Sequence, residues 1–143
     1  MPLTERERKL FYLLDRQISW LKQRVEVDPD TIDPFGPEDV AVQRWLQLAV
    51  QCCLDLGDSI LSGLGEPEPP RYRDIFPALA RRGVIPAELV RSLESLAEFR
   101  YVLGHAYASL TPHDTWQRVR EGIPVLVRYA EAIGLPEDAQ SSM

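Results

Sequence analysis

The sequence predicts an all-α fold: an up-and-down bundle of four long helices and one short one. Three observations predict it. Apolar residues recur at alternating steps of three and four along most of the chain, which lays them on one face of a helix. No stretch alternates apolar and polar residues with the period of two that a half-buried strand needs. Proline and glycine clusters fall between the periodic stretches rather than at random within them.

The first helix is expected from about Thr4 to Val27. Thr4 and Glu7 form a capping box, in which each side chain satisfies the other residue's backbone N–H. Leu10, Leu14, Ile18, Leu21 and Val25 make its apolar stripe, and Asp28-Pro29 ends it. A turn-rich loop follows from Asp30 to Gly36, broken by Pro34 and Gly36. Helix two starts near Pro37-Glu38, with proline at an allowed first-turn position. Its stripe is Val42, Leu46, Ala49, Cys53, Leu56 and Ile60, and it stops around Gly63 and Gly65. Trp45 and Leu48 widen the apolar surface, as for a helix that touches two neighbours. Gly57 in its interior costs about 1 kcal/mol against alanine, and reads equally as a site of close helix approach or as a tolerated accident.

Glu66-Pro67-Glu68-Pro69-Pro70 is a stiff, non-helical connector. Tyr72 to Arg82 reads as the short helix, closed by Gly83. A long helix then runs from near Pro86 to just before Thr111-Pro112, with Leu89, Leu93, Leu96, Leu103 and Leu110 as its stripe. Thr111 or Asp114 caps the last helix, which carries Trp116, Val119, Ile123, Leu126, Ala130 and Ile133. Gly122 and Pro124 predict a kink in it. Gly134 is expected to close it, leaving residues 135–143 as a flexible polar tail. There is no internal repeat. The connector at 65–71 is too short to divide the chain, so residues 1–143 read as a single domain.

Composition narrows the function. A chain of 143 residues, 45% hydrophobic and 27% charged, is that of a globular protein with a real core. No apolar run approaches the roughly 20 residues of a membrane span, and the charged start Met1-Pro2-Leu3-Thr4-Glu5-Arg6 lacks the apolar segment of a signal peptide. A cytoplasmic protein without a membrane partner is expected. A net charge of −6 argues against a broad binder of DNA or other nucleic acid, although it leaves room for a local basic cleft. Arg71, Arg73, Arg81, Arg82, Arg118 and Arg120 are candidates for one. Cys52 and Cys53 are adjacent in a helical pattern, without the spacing of a metal-ligand set or a disulfide framework, and read as packing residues. No metal and no cofactor is expected.

The candidate site lies in the stripe of the fourth long pattern. Arg100 and Tyr107 occupy two of its steps, where the period calls for leucine. An arginine in a buried stripe needs a partner or a cleft. His105, one of two histidines, follows five residues after Arg100, roughly 140° around a helix. Tyr101 and His105, four apart, share a face. Such an Arg–His pair suits cleavage of an RNA phosphodiester without a metal. Histidine is base or acid near neutral pH, and arginine is a fixed fork for phosphate oxygens. A single histidine would have to act twice, or a two-fold dimer would bring a second copy across one groove. The competing reading is a buried bridge from Arg100 to Glu94 or Glu98 beside a histidine whose hydrogen bonds are satisfied.

Arg100-Tyr101-Val102-Leu103-Gly104-His105-Ala106-Tyr107 resembles the Arg-x-x-x-x-His-x-Tyr motif of HepT-like proteins, a branch of the HEPN superfamily. Val42-Gln43-Arg44-Trp45-Leu46-Gln47-Leu48-Ala49 is similar to the second helix of that family. Tyr72-Arg73-Asp74-Ile75-Phe76, followed by Arg82-Gly83-Val84-Ile85-Pro86, is similar to its segment before the motif. The likeness spans about Leu3 to Gly134. It implies an all-helical homodimer and a toxin ribonuclease whose partner is a minimal nucleotidyltransferase (MNT) antitoxin. By the same resemblance Arg100 would hold the phosphate and His105 would be the acid/base. Tyr107 would accept AMP from ATP. Glu98 and Tyr101, beside the motif residues, are expected to support the site.

One position departs from the family pattern. Tyr101 stands where a small polar residue, commonly Asn or Asp, is usual. It is large enough to fill the cleft, and its hydroxyl is a second candidate AMP acceptor. With the acidic net charge, this keeps open a catalytically silent helical partner, or substrate-binding subunit, of a nucleotidyltransferase. His113, at a helix start, and the pair Asp55 and Asp58 read as surface residues.

Overall fold

The computed structural model describes residues 2–141, and among them there is no strand. Five helices follow one another: α1 (Glu5–Arg24), α2 (Pro37–Gly63), α3 (Ile75–Arg81), α4 (Val90–His105) and α5 (Pro112–Ser141). The short α3 and four long helices are the predicted set. Single 3-10 turns stand at Pro29–Thr31, Tyr72–Asp74, Ala87–Leu89 and Tyr107–Ser109. Among the described residues no helix is long and apolar enough to cross a membrane.

The capping box of α1 is present. Glu7 N donates to Thr4 Oγ1 (3.1 Å) and Thr4 N to Glu7 Oε1 (2.9 Å). Glu7 is itself buried, and its second carboxylate oxygen accepts from Ser59 Oγ at 2.6 Å. One carboxylate thus caps α1 and ties it to α2. The helix stops at Arg24 rather than Val27, and Asp28 caps the 3-10 turn that follows, accepting from Asp30 N.

α2 is the central element and packs on α1, α3, α4 and α5. Its predicted stripe is buried throughout. Half-buried Trp45 meets Trp20 of α1 with ring centroids 5.5 Å apart. Gly57 marks a close approach of α3 and α5 to α2 in the core. A Cβ there would lie 2.6 Å from Ile75 Cγ2 and 2.8 Å from Leu79 Cδ1. Beside it the Tyr129 hydroxyl donates to the Cys53 carbonyl (2.6 Å). Burial pushes the Cys52 thiol up to about 11, with the Asp55 charge adding to it, and raises Cys53 as well. Both thiols stay protonated at neutral pH, as packing residues should.

Besides the end of α1, α3 begins at Ile75 rather than Tyr72 and α4 at Val90 rather than near Pro86, each behind a 3-10 turn, and the ends of α4 and α5 differ most from the sequence expectation. α4 ends at His105, not just before Thr111, so Tyr107 is not on the helical stripe. Ala106 leaves helical geometry (φ −122°, ψ 28°), and Leu110 reaches the core from an extended backbone (φ −88°, ψ 141°). Leu110 matches the helical period by coincidence of spacing. The physical cause is the start of α5. Thr111 and Asp114 cap it reciprocally, Asp114 N to Thr111 Oγ1 (3.1 Å) and Thr111 N to Asp114 Oδ2 (3.3 Å). A capping residue that precedes Pro112 is biased to extended geometry, so α4 must unwind before it.

α5 runs through Gly122, Pro124 and Gly134 to Ser141, where the sequence placed its end at Gly134. Residues 142–143 of the expected tail lie outside the described residues. Gly134 serves packing instead of termination. A Cβ there would fall 2.3 Å from Phe11 Cζ, so the glycine seats the α1 aromatic.

Candidate functional site

The predicted motif occupies the last turn and a half of α4 and the 3-10 turn behind it. Arg100 is half-buried. Its Nη1 donates to Gln51 Oε1 of α2 (3.1 Å), and Gln51 Nε2 donates to Asp55 Oδ1 (2.8 Å). The guanidinium carbon lies 5.9 Å from the centre of the Tyr72 ring. Nε is buried without a hydrogen-bond partner. Neither Glu94 nor Glu98 pairs with Arg100 among the described residues. Glu98 is exposed and faces Arg73 Nη1 at 3.7 Å. A permanent cation is therefore anchored by one neutral amide and no carboxylate.

His105 is the last residue of α4 and is exposed. Its Nδ1 lies 3.1 Å from the Tyr101 carbonyl. A carbonyl only accepts, so Nδ1 carries the hydrogen and the neutral ring keeps its lone pair on Nε2. The ring stacks on Tyr101 with centroids 4.1 Å apart and planes 13° from parallel. Tyr101 is thus the surface on which the histidine rests. Tyr107 is 55% exposed in the turn that follows, accessible to a modifying enzyme.

Facing the motif is a polar line along α2: Arg44, Gln47, Gln51, Asp55 and Asp58. Arg44 Nη1 donates to Gln47 Oε1 (3.2 Å), and Gln47 Nε2 would stand 3.2 Å from a Cβ at position 104. Gly104 therefore lets the α2 amide come up against α4. Sequence reasoning missed Gln47 and Gln51. The signal was their spacing of three to four residues between two buried stripes, which separates them from a randomly polar face. Asp55 belongs to this line. Asp58 lines a cleft of about 220 Å³ with Arg71 and Tyr72.

The six candidate arginines do not converge. Arg71 pairs with Asp74 (3.3 Å) and Arg82 with Glu66 (2.9 Å). Arg118 donates to Ser95 Oγ (3.1 Å), and Arg120 to the Val25 carbonyl (2.9 Å). Arg81 is exposed at the end of α3. Only Arg71 and Arg73 flank Tyr72 beside the motif. His113 is exposed in the first turn of α5. Among the described residues no group of three or more His, Cys, Asp or Glu is placed to hold a metal ion.

The sequence profile of the family described as Ribonuclease HepT-like matches residues 14–133. No curated protein is similar enough in sequence to count as a match. Solved structures share the fold. The tri-AMPylated Shewanella oneidensis HEPN toxin in complex with its MNT antitoxin superposes with a TM-score of 0.81 at 20% identity, over 93% of this chain and 99% of that one. YutE from Bacillus subtilis, a cytosolic protein of unknown function, gives 0.80 at 19%, over 98% and 95%. A toxin–antitoxin complex with AMP-PNP gives 0.79 at 20%, over 92% and 99%.

Proposed function

This chain belongs to the Ribonuclease HepT-like family, and on that premise we propose that it is a toxin-type endoribonuclease of a HEPN/MNT toxin–antitoxin pair. One observation carries the reading: the open end of α4 holds a guanidinium with unused donors and, five residues on, an exposed imidazole with its lone pair on Nε2. Arg100 binds the phosphate oxygens of the scissile diester. Nε2 of His105 takes the proton of the ribose 2′-hydroxyl, and the 2′-oxygen attacks phosphorus. The P–O5′ bond breaks, leaving a 2′,3′-cyclic phosphate, and the departing 5′-oxygen takes a proton from an imidazolium. In a homodimer the second His105 supplies that proton, so neither ring has to act twice. The chemistry needs no metal.

The partner is an MNT-type nucleotidyltransferase antitoxin. The phenol oxygen of Tyr107 attacks the α-phosphorus of ATP, pyrophosphate leaves, and the phenolic proton passes to the transferase. AMP two residues from His105 places a phosphate of its own where RNA phosphate would bind. The AMPylated state of the Shewanella oneidensis toxin supports this reading.

Arg100→Ala and His105→Ala are each expected to reduce RNA cleavage by about 10²-fold or more and to leave the helical circular dichroism spectrum unchanged. Variants as active as wild type would refute the assignment. Tyr101 favours a second reading, since it covers one face of the His105 ring. In that reading the chain is a catalytically silent partner of the transferase. Mass spectrometry after incubation with the transferase and ATP would then show AMP addition to a protein that cuts no RNA.

A further inference from the structure

Among the described residues seven large hydrophobic side chains are exposed, and three of them, Tyr72, Tyr101 and Tyr107, gather around the Arg–His motif. Apolar side chains gathered in one place mark a binding surface, where singly scattered ones do not. Tyr101 is 61% exposed although one face of its ring is occupied by His105, so its other face is open to solvent. Tyr72 is 60% exposed and lies against the Arg100 guanidinium. Aromatic plates thus stand beside both groups assigned to the scissile phosphate.

We propose that Tyr101 is the stacking plate for an unpaired nucleobase next to the phosphate held by Arg100 and His105. The inference rests on the ribonuclease reading and adds a residue that binds the base beside the scissile phosphate. Electrostatics points the same way. With a net charge of −6, and with Arg71 and Arg73 beside the motif each facing a carboxylate, the site has few free cations to spend on a phosphate backbone. Affinity must then come from the bases. A base stacked on an aromatic side chain is bound about tenfold or more tighter than one without it, whatever its identity. In a duplex the bases are already stacked on one another and cannot reach the ring. The parallel rings of His105 and Tyr101 extend naturally by one more plane, the base.

The test uses a fluorescein-labelled 2′-O-methyl RNA of about twelve nucleotides, which lacks the attacking hydroxyl and cannot be cut. Its binding to the full chain is followed by polarisation, as a single strand and annealed to its complement. Cleavage of the unmodified single strand is measured in parallel. Wild type is expected to bind the single strand at least tenfold tighter than the duplex. Tyr101→Ala should lose about tenfold of that affinity and raise KM more than it lowers kcat, and Tyr101→Phe should behave as wild type. Tyr101 is exposed, so the alanine variant keeps the fold, which circular dichroism verifies. If wild type cleaves in a His105-dependent manner and Tyr101→Ala binds equally well, the plate is refuted and the ribonuclease reading stands. Tyr101-dependent binding without cleavage refutes the ribonuclease reading and leaves the plate as a binding surface. Equal affinity for single strand and duplex also refutes the plate, since a paired base cannot reach the ring.

Discussion

Gly57 and Gly104 each bring helices together, and the contacts they make are opposite in kind. At Gly57 the bare backbone of α2 receives Ile75, Leu79 and the Tyr129 hydroxyl. Everything there is buried, and the hydroxyl is spent on the Cys53 carbonyl. At Gly104 the backbone of α4 receives the amide of Gln47 instead. Around it Arg100 keeps a buried Nε without a partner, and His105 lies exposed on Tyr101. The first contact uses up its hydrogen-bonding capacity and stabilises the fold. The second leaves capacity unused, at a cost in stability, as a site that must bind something does.

The comparison predicts that substitutions at the two ends separate stability from activity. The largest effect is expected for Arg100→Leu. It should abolish RNA cleavage while leaving stability unchanged or raised by up to about 1 kcal/mol, since it removes a half-buried cation with an unmade hydrogen bond and no carboxylate is orphaned. Urea unfolding beside a cleavage assay checks both halves, and a strongly destabilised variant would mean that Arg100 holds the fold. Gly57→Ala should do the reverse. Its new methyl collides with Ile75 and Leu79, and overpacking of this kind costs about 1–3 kcal/mol despite the better helix propensity of alanine. Cleavage per folded molecule should not change. The smallest effect belongs to Tyr129→Phe, which deletes one buried hydrogen bond for about 1 kcal/mol and is read as a lower denaturation midpoint with unchanged activity.

The helical framework was legible because it follows from local rules. The Thr4–Glu7 box, the buried stripe of α2 and the Leu14–Ile18–Leu21 centre of the α1 stripe depend on spacings along one helix and stand where the periodicity put them, while Leu10 and Val25 at the ends of the α1 stripe are only partly buried. The end of α4 was not legible. Leu110 continues the three-and-four spacing and is buried, yet it belongs to the linker, because the Thr111–Asp114 cap and Pro112 demand an extended chain before α5. Gly134 was misread for a related reason. A glycine beneath an aromatic ring and a glycine that stops a helix look alike until the ring is placed.

At the candidate site the residues of the motif could be named from their sequence, and their partners could not. An arginine in an apolar stripe announces a partner, and the nearby glutamates were the natural guess. The partner is Gln51, forty-nine positions away on α2, while Glu98 turns outward to Arg73. Stripes, caps and the Arg–His spacing were determined by the sequence alone, because helix geometry converts spacing into direction within a few residues. Tertiary structure alone decided which amide meets Arg100, which face of Tyr101 remains open and which glycine admits a neighbour. Those contacts depend on how helices distant in the chain cross, and no local period records a crossing.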